Sequence, residues 1–234
     1  SEMCIRDRYI EATGVFGYLA KDNNRGDHLD RDPQSREVDV VVVGGGFGGL
    51  IAGAGLKKAG IDDVVLIEKG ADFGGTWYWN QYPGARCDVE SYIYLPLLEE
   101  VDKIPTEKYA SAPEIQEHAC GIARKFGLDK NACFQTEVKT LKWDAEIDRW
   151  IVQTDRQDEM KARFVIMASG PLHKLKLPGI PGIDSFTGHM FHTSRWDYDY
   201  TGGSPKAPLT NFCLLYTSPS PRDQRGCGFG GCWL

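Results

Sequence analysis

The pattern of apolar and polar positions is clearest between residues 38 and 68. Val38–Val43 is an apolar, β-branched run, typical of a buried parallel strand. The small residues of Leu50–Ala59 follow it and predict a helix, which Gly60 ends. Val64–Ile67 predicts a second buried strand. This succession of strand, helix and strand predicts an α/β fold built on a parallel sheet.

Weaker patterns extend this prediction along the chain. A helix is predicted from Ala112 to about Phe126, with Pro113 in its first turn and Gly127 after its end. Four later segments have strand character, which predicts a small antiparallel insertion that returns to the main sheet. They are Phe134–Val138, Leu141–Trp143, Trp150–Thr154 and Met160–Met167. Ser91–Leu98 is apolar and aromatic and is expected to be buried, whereas Asp27–Arg36 is polar and is expected to be a solvated linker.

A glycine motif lies between the first strand and the first helix. Gly44, Gly46 and Gly49 fit G-x-G-x-x-G, and Glu68 follows the last of them by nineteen residues, at the end of the second strand. In this context the first glycine permits a tight turn, the second lets the backbone approach a pyrophosphate, and the third allows close packing of helix and strand. The helix N-terminus attracts phosphate, and Glu68 can accept hydrogen bonds from ribose hydroxyls. A glycine string alone is often only a flexible loop, but the flanking elements and the acid favour dinucleotide binding.

Composition excludes several other classes of function. A net charge of −6 without a basic cluster argues against a nucleic-acid partner. No apolar run approaches the ~20 residues that span a bilayer, so no membrane partner is expected. The seven cysteines are scattered and include no C-x-x-C pair. They indicate the reduced thiols of a cytoplasmic protein rather than a disulfide framework or a metal site.

Two longer motifs resemble those of a known family. Gly74–Asp88 is an aromatic segment with glycines at its start, and it resembles the flavin-binding loop of Baeyer–Villiger monooxygenases, the class B flavoprotein monooxygenases. Later positions look like that family's fingerprint, F-x-G-x-x-x-H-T-x-x-W-P/D, namely Phe186, Gly188, His192, Thr193, Trp196 and Asp197. The resemblance runs from about residue 9 to residue 211. Without it, the aromatic run would be interpreted as a packed core loop and His192 as a core histidine held by a backbone carbonyl.

The resemblance implies a Rossmann-type FAD-binding domain with a parallel sheet and a small antiparallel insertion. It implies FAD and NADPH as cofactors, with a small-molecule ketone and O2 as substrates and an ester or lactone as product. In this family the three glycines hold the pyrophosphate and Glu68 the adenosine ribose, while residues 76–79 wall the flavin. The implied FAD-binding residues are Gly44, Gly46, Phe47, Gly49, Glu68, Thr76, Trp77, Tyr78, Trp79, Asp88, Tyr94 and Val138.

The resemblance also implies a second nucleotide contact. Arg86, Cys87 and Asp88 would line the nicotinamide side of NADPH. His192 lies in the segment between the domains, where it is expected to couple domain movement rather than transfer protons. No residue of the chain matches the motif of the family's catalytic arginine, so no catalytic residue is assigned.

Both ends of the chain resemble translated sequencing-adaptor sequence, although a genuine Pro/Ser-rich tail is the alternative at the C-terminus. We therefore expect an N-terminal extension over 1–37, of which 1–8 is an artefact, and an FAD-binding domain over 38–170. A linker and the start of an NADPH domain with the fingerprint are expected over 171–211, and an artefact tail over 212–234. Gly226, Gly228 and Gly231 repeat the glycine spacing, but no strand pattern precedes them, so this match is attributed to chance.

The expected truncation before the NADPH domain leaves the function of the chain open. The chain alone is expected to be inactive, although its family is enzymatic. One alternative is an N- or S-oxidising flavin monooxygenase, but such relatives typically lack the complete fingerprint through Trp196. The other alternative is a non-catalytic FAD-binding module.

Overall fold

The structure, a computed structural model, describes residues 9–207. Within these residues the eight strands are β1 (Tyr9–Glu11), β2 (Ser35–Val43), β3 (Val64–Ile67), β4 (Ala132–Cys133), β5 (Val138–Asp144), β6 (Arg149–Thr154), β7 (Glu159–Met167) and β8 (Lys176–Pro178). Six of them form one sheet in the order β4-β3-β2-β7-β6-β5, and β1 pairs separately with β8. The α-helices are α1 (Phe47–Lys58), α2 (Thr76–Trp79), α3 (Ser91–Tyr94), α4 (Ala112–Lys125) and α5 (Tyr198–Thr201). Short 3-10 helices cover Gly14–Ala20, Asp129–Asn131, Ile183–Ser185 and Thr193–Arg195.

The centre of the sheet is parallel and buried on both faces. β2 pairs in parallel with β3 on one side and with β7 on the other. One face is covered by α1 and α4, whose Leu50 and Ile122 pack against Val42. On the other face Val41 packs with Val152 of β6. Full burial of each such side chain contributes about 1.5–3 kcal/mol. The α/β prediction with a mainly parallel sheet is confirmed.

The antiparallel insertion is also confirmed. β5 pairs with β6 and β6 with β7, both antiparallel, before β7 runs parallel beside β2. The predicted strand over Phe134–Val138 is wrong, because β4 ends at Cys133 and β5 begins only at Val138. Between them Gln135 has a φ of 49°, and its backbone N–H donates to the carbonyl of Gly70 rather than to a sheet partner.

Other boundaries differ from the expectation in ways that packing explains. α1 begins at Phe47, three residues earlier than predicted, because the helix starts within the glycine motif. Ser91–Leu98 is only partly buried, since α3 turns Tyr92 and Ile93 outward with 69% and 77% exposure. Ser91 and Leu95 are the buried members of that segment.

The expected solvated linker over Asp27–Arg36 is exposed at seven of its ten positions, but it is joined to the rest of the fold. β2 already begins at Ser35. Arg31 makes two hydrogen bonds of 2.6 Å to the carboxylate of Asp158, whose side chain is fully buried. The segment preceding β2 is thus fastened to the sheet by a charged pair whose members lie far apart in the chain.

Candidate functional site

A cavity of about 780 Å³ opens where β2, β3 and β7 end. The crevice outside the carboxyl ends of parallel strands is the usual ligand site of an open α/β sheet. Most residues that the sequence nominates for FAD meet there, although they come from distant parts of the chain. Those in the lining are Gly44, Gly46, Phe47, Glu68, Thr76, Trp77, Trp79, Tyr94 and Val138.

Two glycines of the motif are required by the backbone itself. Gly44 has a φ of +112°, and a Cβ there would lie 2.4 Å from the carbonyl oxygen of Ala168. A Cβ on Gly49 would lie 1.9 Å from the carbonyl oxygen of Gly44. Gly49 is not part of the cavity lining. Its lack of a side chain lets α1 pack closely against the turn.

Gly46 differs from these two because it faces the cavity. It precedes α1 with a φ of −78° and a ψ of −176°, which any residue can adopt. Within residues 9–207 no side chain caps α1, and its first turn has no acidic residue. The first backbone N–H groups and the positive end of the helix dipole are therefore available to an anion.

Glu68 lies at the end of β3 with only 5% of its surface exposed. One carboxylate oxygen accepts from the N–H of Gly45 at 2.5 Å, and the other from the N–H of Gly70 at 2.6 Å. Burial raises the pKa of Glu68, and these two backbone hydrogen bonds oppose the rise. Because a carboxylate has about four lone-pair positions, it can still accept from a ligand hydroxyl.

The aromatic loop forms one wall of the cavity. The indole Nε1 of Trp77 donates to the hydroxyl of Tyr94 at 2.9 Å, and the two rings meet edge to face at 5.7 Å. Thr76 and Trp79 complete this wall. Burial is the main reason that the pKa of Tyr94 is raised, so its hydroxyl keeps its proton.

The predicted placement of Tyr78 in this wall is corrected by the structure. Tyr78 is 2% exposed and points to the opposite side of α2, outside the cavity lining. Its hydroxyl donates to Asp22 at 2.7 Å and accepts from the N–H of Ala71 at 2.9 Å. Successive residues of a helix face different directions, so one aromatic run serves both the cavity and the core.

The three residues nominated for NADP lie apart from this cavity. Arg86 is exposed, pairs with Glu107 and lines a second cavity of about 450 Å³ near the start of α4. Cys87 is 5% exposed, and Asp88 is exposed. Asp88 thus lies outside the lining to which its predicted flavin contact would assign it.

The fingerprint segment lies beside the cavity wall rather than in it. His192 precedes the short helix Thr193–Arg195, and its Nδ1 accepts from the N–H of Ser194 at 3.1 Å. Burial lowers the pKa of His192. Trp196 donates from its indole to the hydroxyl of Thr201 at 2.9 Å. His192 is therefore held by contacts within its own segment and by a hydrogen bond to the backbone of Lys176, which opposes the fall in its pKa and agrees with the alternative interpretation of a histidine held by a backbone carbonyl.

Three lysines and a histidine at the cavity were missed in the sequence. Lys69, Lys139, His173 and Lys174 all belong to the lining. Lys69 directly follows Glu68, and His173 and Lys174 follow the turn after β7. Positions just after the strand ends of a parallel sheet are the signal that would have nominated them.

A search of the part of the chain from 9 to 207 found no helix with the length and apolar character to cross a bilayer. In the same residues no group of three His, Cys, Asp or Glu side chains could hold a metal ion.

Comparisons with known proteins agree with this geometry. A family model described as pyridine nucleotide-disulphide oxidoreductase matches residues 41–202. A Baeyer–Villiger monooxygenase of Streptomyces coelicolor is 53% identical over 203 residues, which are 87% of this chain and 34% of that protein. The chain thus spans about a third of the length of the curated relatives it matches.

Solved structures give the same picture. A polycyclic ketone monooxygenase from Thermothelomyces thermophila aligns with a TM-score of 0.78 and 39% identity over 86% of this chain and 35% of that one. A cyclohexanone-bound cyclohexanone monooxygenase aligns with a TM-score of 0.63 and 34% identity over 70% of this chain and 32% of that one. A protein named OTEMO, in complex with FAD and NADP, aligns with a TM-score of 0.64 and 37% identity over 72% of this chain and 32% of that one.

The glycine turn, the acid after β3 and the aromatic wall form one cavity at the carboxyl edge of the sheet. The family model covers well over half of the chain, and relatives about half identical to it are Baeyer–Villiger monooxygenases. The chain therefore belongs to the Baeyer–Villiger monooxygenase family of flavin-dependent enzymes.

Proposed function

We propose that the cavity binds FAD and that the chain forms the flavin-binding part of an NADPH- and O2-dependent monooxygenase that oxidises ketones to esters or lactones. The observation that carries the proposal is the uncapped N-terminus of α1 opening onto a cavity that also contains Glu68. A helix start suits a pyrophosphate, and a carboxylate suits ribose hydroxyls.

The residues present fit this group. Gly46 and Gly75 face each other in the lining, and a Cβ on Gly75 would lie 2.7 Å from the Cα of Gly46. Neither glycine has a side chain, so a phosphate can approach the first N–H groups of α1 without a steric clash. The cavity volume is in the range of sites that enclose small organic ligands, about 300–1,000 Å³.

Each lining residue that the sequence nominated receives a role in this proposal. Gly44, Gly46 and Phe47 hold the pyrophosphate, and Glu68 holds the adenosine ribose. Val138, at the start of β5, holds the adenine through its backbone. Bound FAD supplies the electron transfer and the oxygen chemistry, and the protein positions and shields it. The flavin ring is enclosed by Thr76, Trp77, Trp79 and Tyr94.

The proposal assigns the nicotinamide cofactor to the other side of the aromatic loop. Arg86, Cys87 and Asp88 would line it, and Asp88 would also approach the flavin. The second cavity supports this for Arg86, which lines it with Lys103 and Lys206 near the start of α4, although Glu114 and Glu117 also line it. We retain His192 as a residue that couples the linker to the FAD-binding domain, with the domain boundary near residue 170.

A cytoplasmic location is proposed from the thiols of Cys120 and Cys133.

The test begins with binding of FAD to the 234-residue chain. FAD and FMN should be titrated separately by quenching of flavin fluorescence. FMN lacks the adenosine and one phosphate, so it should bind at least tenfold more weakly. Equal affinity for the two flavins would contradict the assignment of the α1 start and Glu68.

Turnover separates the enzyme from a binding module. Because the chain alone is expected to be inactive, its bound flavin should keep its visible absorbance when NADPH is added without oxygen, which is also what a non-catalytic FAD-binding module would show. Loss of that absorbance, followed by formation of a lactone from a cyclic ketone in air, would show that the chain as it stands is the enzyme.

A further inference from the structure

Arg195 is a buried cation directly behind the wall of the cavity. Only 5% of its surface is exposed. Its guanidinium donates to the carbonyl oxygen of Ser194 at 2.9 Å and to the carbonyl oxygen of His173 at 3.0 Å. Its Cζ lies 4.1 Å from the centre of the Trp79 ring. Arg195 therefore contacts a helix and a loop that belong to different parts of the fold.

These contacts leave the charge of Arg195 without a direct counter-ion. Among residues 9–207, no carboxylate forms an ion pair with it, and its Nε has no hydrogen-bond partner. Burying a guanidinium without a carboxylate is costly. The attraction between a cation and the face of an indole is strongest when both are desolvated. Trp79 is itself 4% exposed, so this stacking adds to the carbonyl hydrogen bonds and to the more distant charge of Asp22 in compensating the buried charge.

Two of the three partners of the guanidinium line the cavity. Trp79 comes from α2, and His173 comes from the turn that follows β7. One planar group thus joins two walls of the cavity from behind. Arg195 is not among the lining residues, so it can act on a bound flavin only through these two.

The backbone of Arg195 is anchored as firmly as its side chain. Its N–H donates to the carbonyl oxygen of His192 at 2.7 Å. Its own carbonyl oxygen accepts from the side-chain amide of Asn23 at 3.0 Å. Any displacement of the fingerprint segment therefore carries the guanidinium with it and changes its stacking on Trp79.

We propose that Arg195 is a positioning residue through which the fingerprint segment sets the shape of the flavin cavity, by orienting the indole of Trp79 and the carbonyl of His173. This inference rests on the proposed function, because the shape matters only if the cavity holds the flavin. Arg195 occupies one of the two variable positions between His192-Thr193 and Trp196 in the fingerprint.

The first test needs no cofactor. The indole N–H signal of Trp79 can be assigned in an NMR spectrum by its loss in Trp79→Phe. It should shift in Arg195→Gln and in Arg195→Lys, because neither side chain can both stack on the indole and reach His173. The matched control is Arg163→Gln, since Arg163 also lies over an aromatic ring, Phe164, but on the surface. An unmoved Trp79 signal in Arg195→Lys would overturn the proposal.

The second test uses FAD titration of the same variants. Arg195→Gln should weaken FAD binding about tenfold, which corresponds to 1.4 kcal/mol. In a Trp79→Phe background the same substitution should weaken it by less than about threefold, because the stacking partner is already altered. The Arg163→Gln control should bind FAD as the wild type does. Equal losses in both backgrounds would show that Arg195 does not act through Trp79.

Folding is checked by circular dichroism and thermal melting of every variant. If Arg195→Gln does not fold, Arg195→Lys takes its place in both tests. If the wild-type chain shows no FAD saturation, the proposed function fails, while the Trp79 signal still decides whether Arg195 orients the indole.

Discussion

Replacing Gly46 by alanine should weaken FAD binding without destabilising the fold. The backbone at Gly46 suits alanine, and the new Cβ would lie 3.4 Å from the Cα of Gly75, an ordinary contact. Because alanine has a less flexible unfolded state than glycine, the variant should be as stable as the wild type or more stable by about 0.4–1 kcal/mol. The added methyl group nevertheless lies where the phosphate is proposed to approach α1.

The expected loss of affinity follows from the hydrogen bonds at that position. A methyl group that displaces the phosphate removes about one bond between a backbone N–H and a charged oxygen, worth roughly 1.5–3 kcal/mol. FAD affinity should therefore fall about tenfold to a hundredfold. Flavin fluorescence quenching measures the dissociation constant, and thermal melting measures stability in the same sample.

Two other glycines provide controls for this prediction. Gly55 lies on the exposed side of α1, where an added Cβ would meet nothing within 4 Å beyond the backbone of its own helix. Gly55→Ala should therefore raise stability and leave FAD binding unchanged. Gly49→Ala should prevent native packing, since its Cβ would overlap the carbonyl oxygen of Gly44. If Gly46→Ala binds FAD as tightly as the wild type, the reasoning about the pyrophosphate is refuted.

Three further substitutions test individual contacts. Glu68→Gln should lower both the melting temperature and FAD affinity, because the amide nitrogen cannot accept from a backbone N–H, and a loss in neither measurement would contradict the assignment. Arg31→Met should cost about 3–5 kcal/mol in urea unfolding, since it leaves the buried carboxylate of Asp158 unpaired. Burial alone would raise the pKa of Asp158, but hydrogen bonds from Arg31, Thr154 and Gln34 hold it below its ordinary value. The stability that this pair contributes is therefore present above the ordinary pKa of an aspartate and is lost as the pH falls through the folded-state pKa. Melting temperatures from about pH 7 to pH 3 should show the Arg31→Met variant losing stability at a higher pH than the wild type. Tyr78→Phe should reduce stability by about 1–3 kcal/mol, by leaving a backbone N–H unsatisfied, while FAD affinity stays unchanged because Tyr78 faces the core.

The sequence-based predictions were accurate where the contacts that determine an element join residues close together in the sequence. The β2–α1–β3 unit was predicted because its signals lie within residues 38–68 and its strands pair at short separation. Gln135 was assigned to a strand because its neighbours are β-formers, yet its backbone is held by Gly70, and no local pattern reports that contact.

The candidate site shows the same division. Gly44, Glu68 and Trp77 were found from motifs and do line the cavity. Tyr78 belongs to the same motif, but its direction depends on how α2 packs on Asp22. The role proposed for Arg195 could not be found from the sequence, because a variable motif position gives no sign of stacking on a ring 116 residues earlier.

The contacts that fasten the N-terminal segment also have a consequence for the order of folding. Asn23 bonds to a carbonyl 172 residues later, and Arg31 bonds to a carboxylate 127 residues later. By contrast, Asp39 at β2 bonds to Asp63 only 24 residues away. At a synthesis rate of ~5–20 residues per second, Asn23 waits on the order of 10–30 s for its partner to be made. Among the described residues, those synthesised first thus reach their final positions only after β7 and the fingerprint segment have been made.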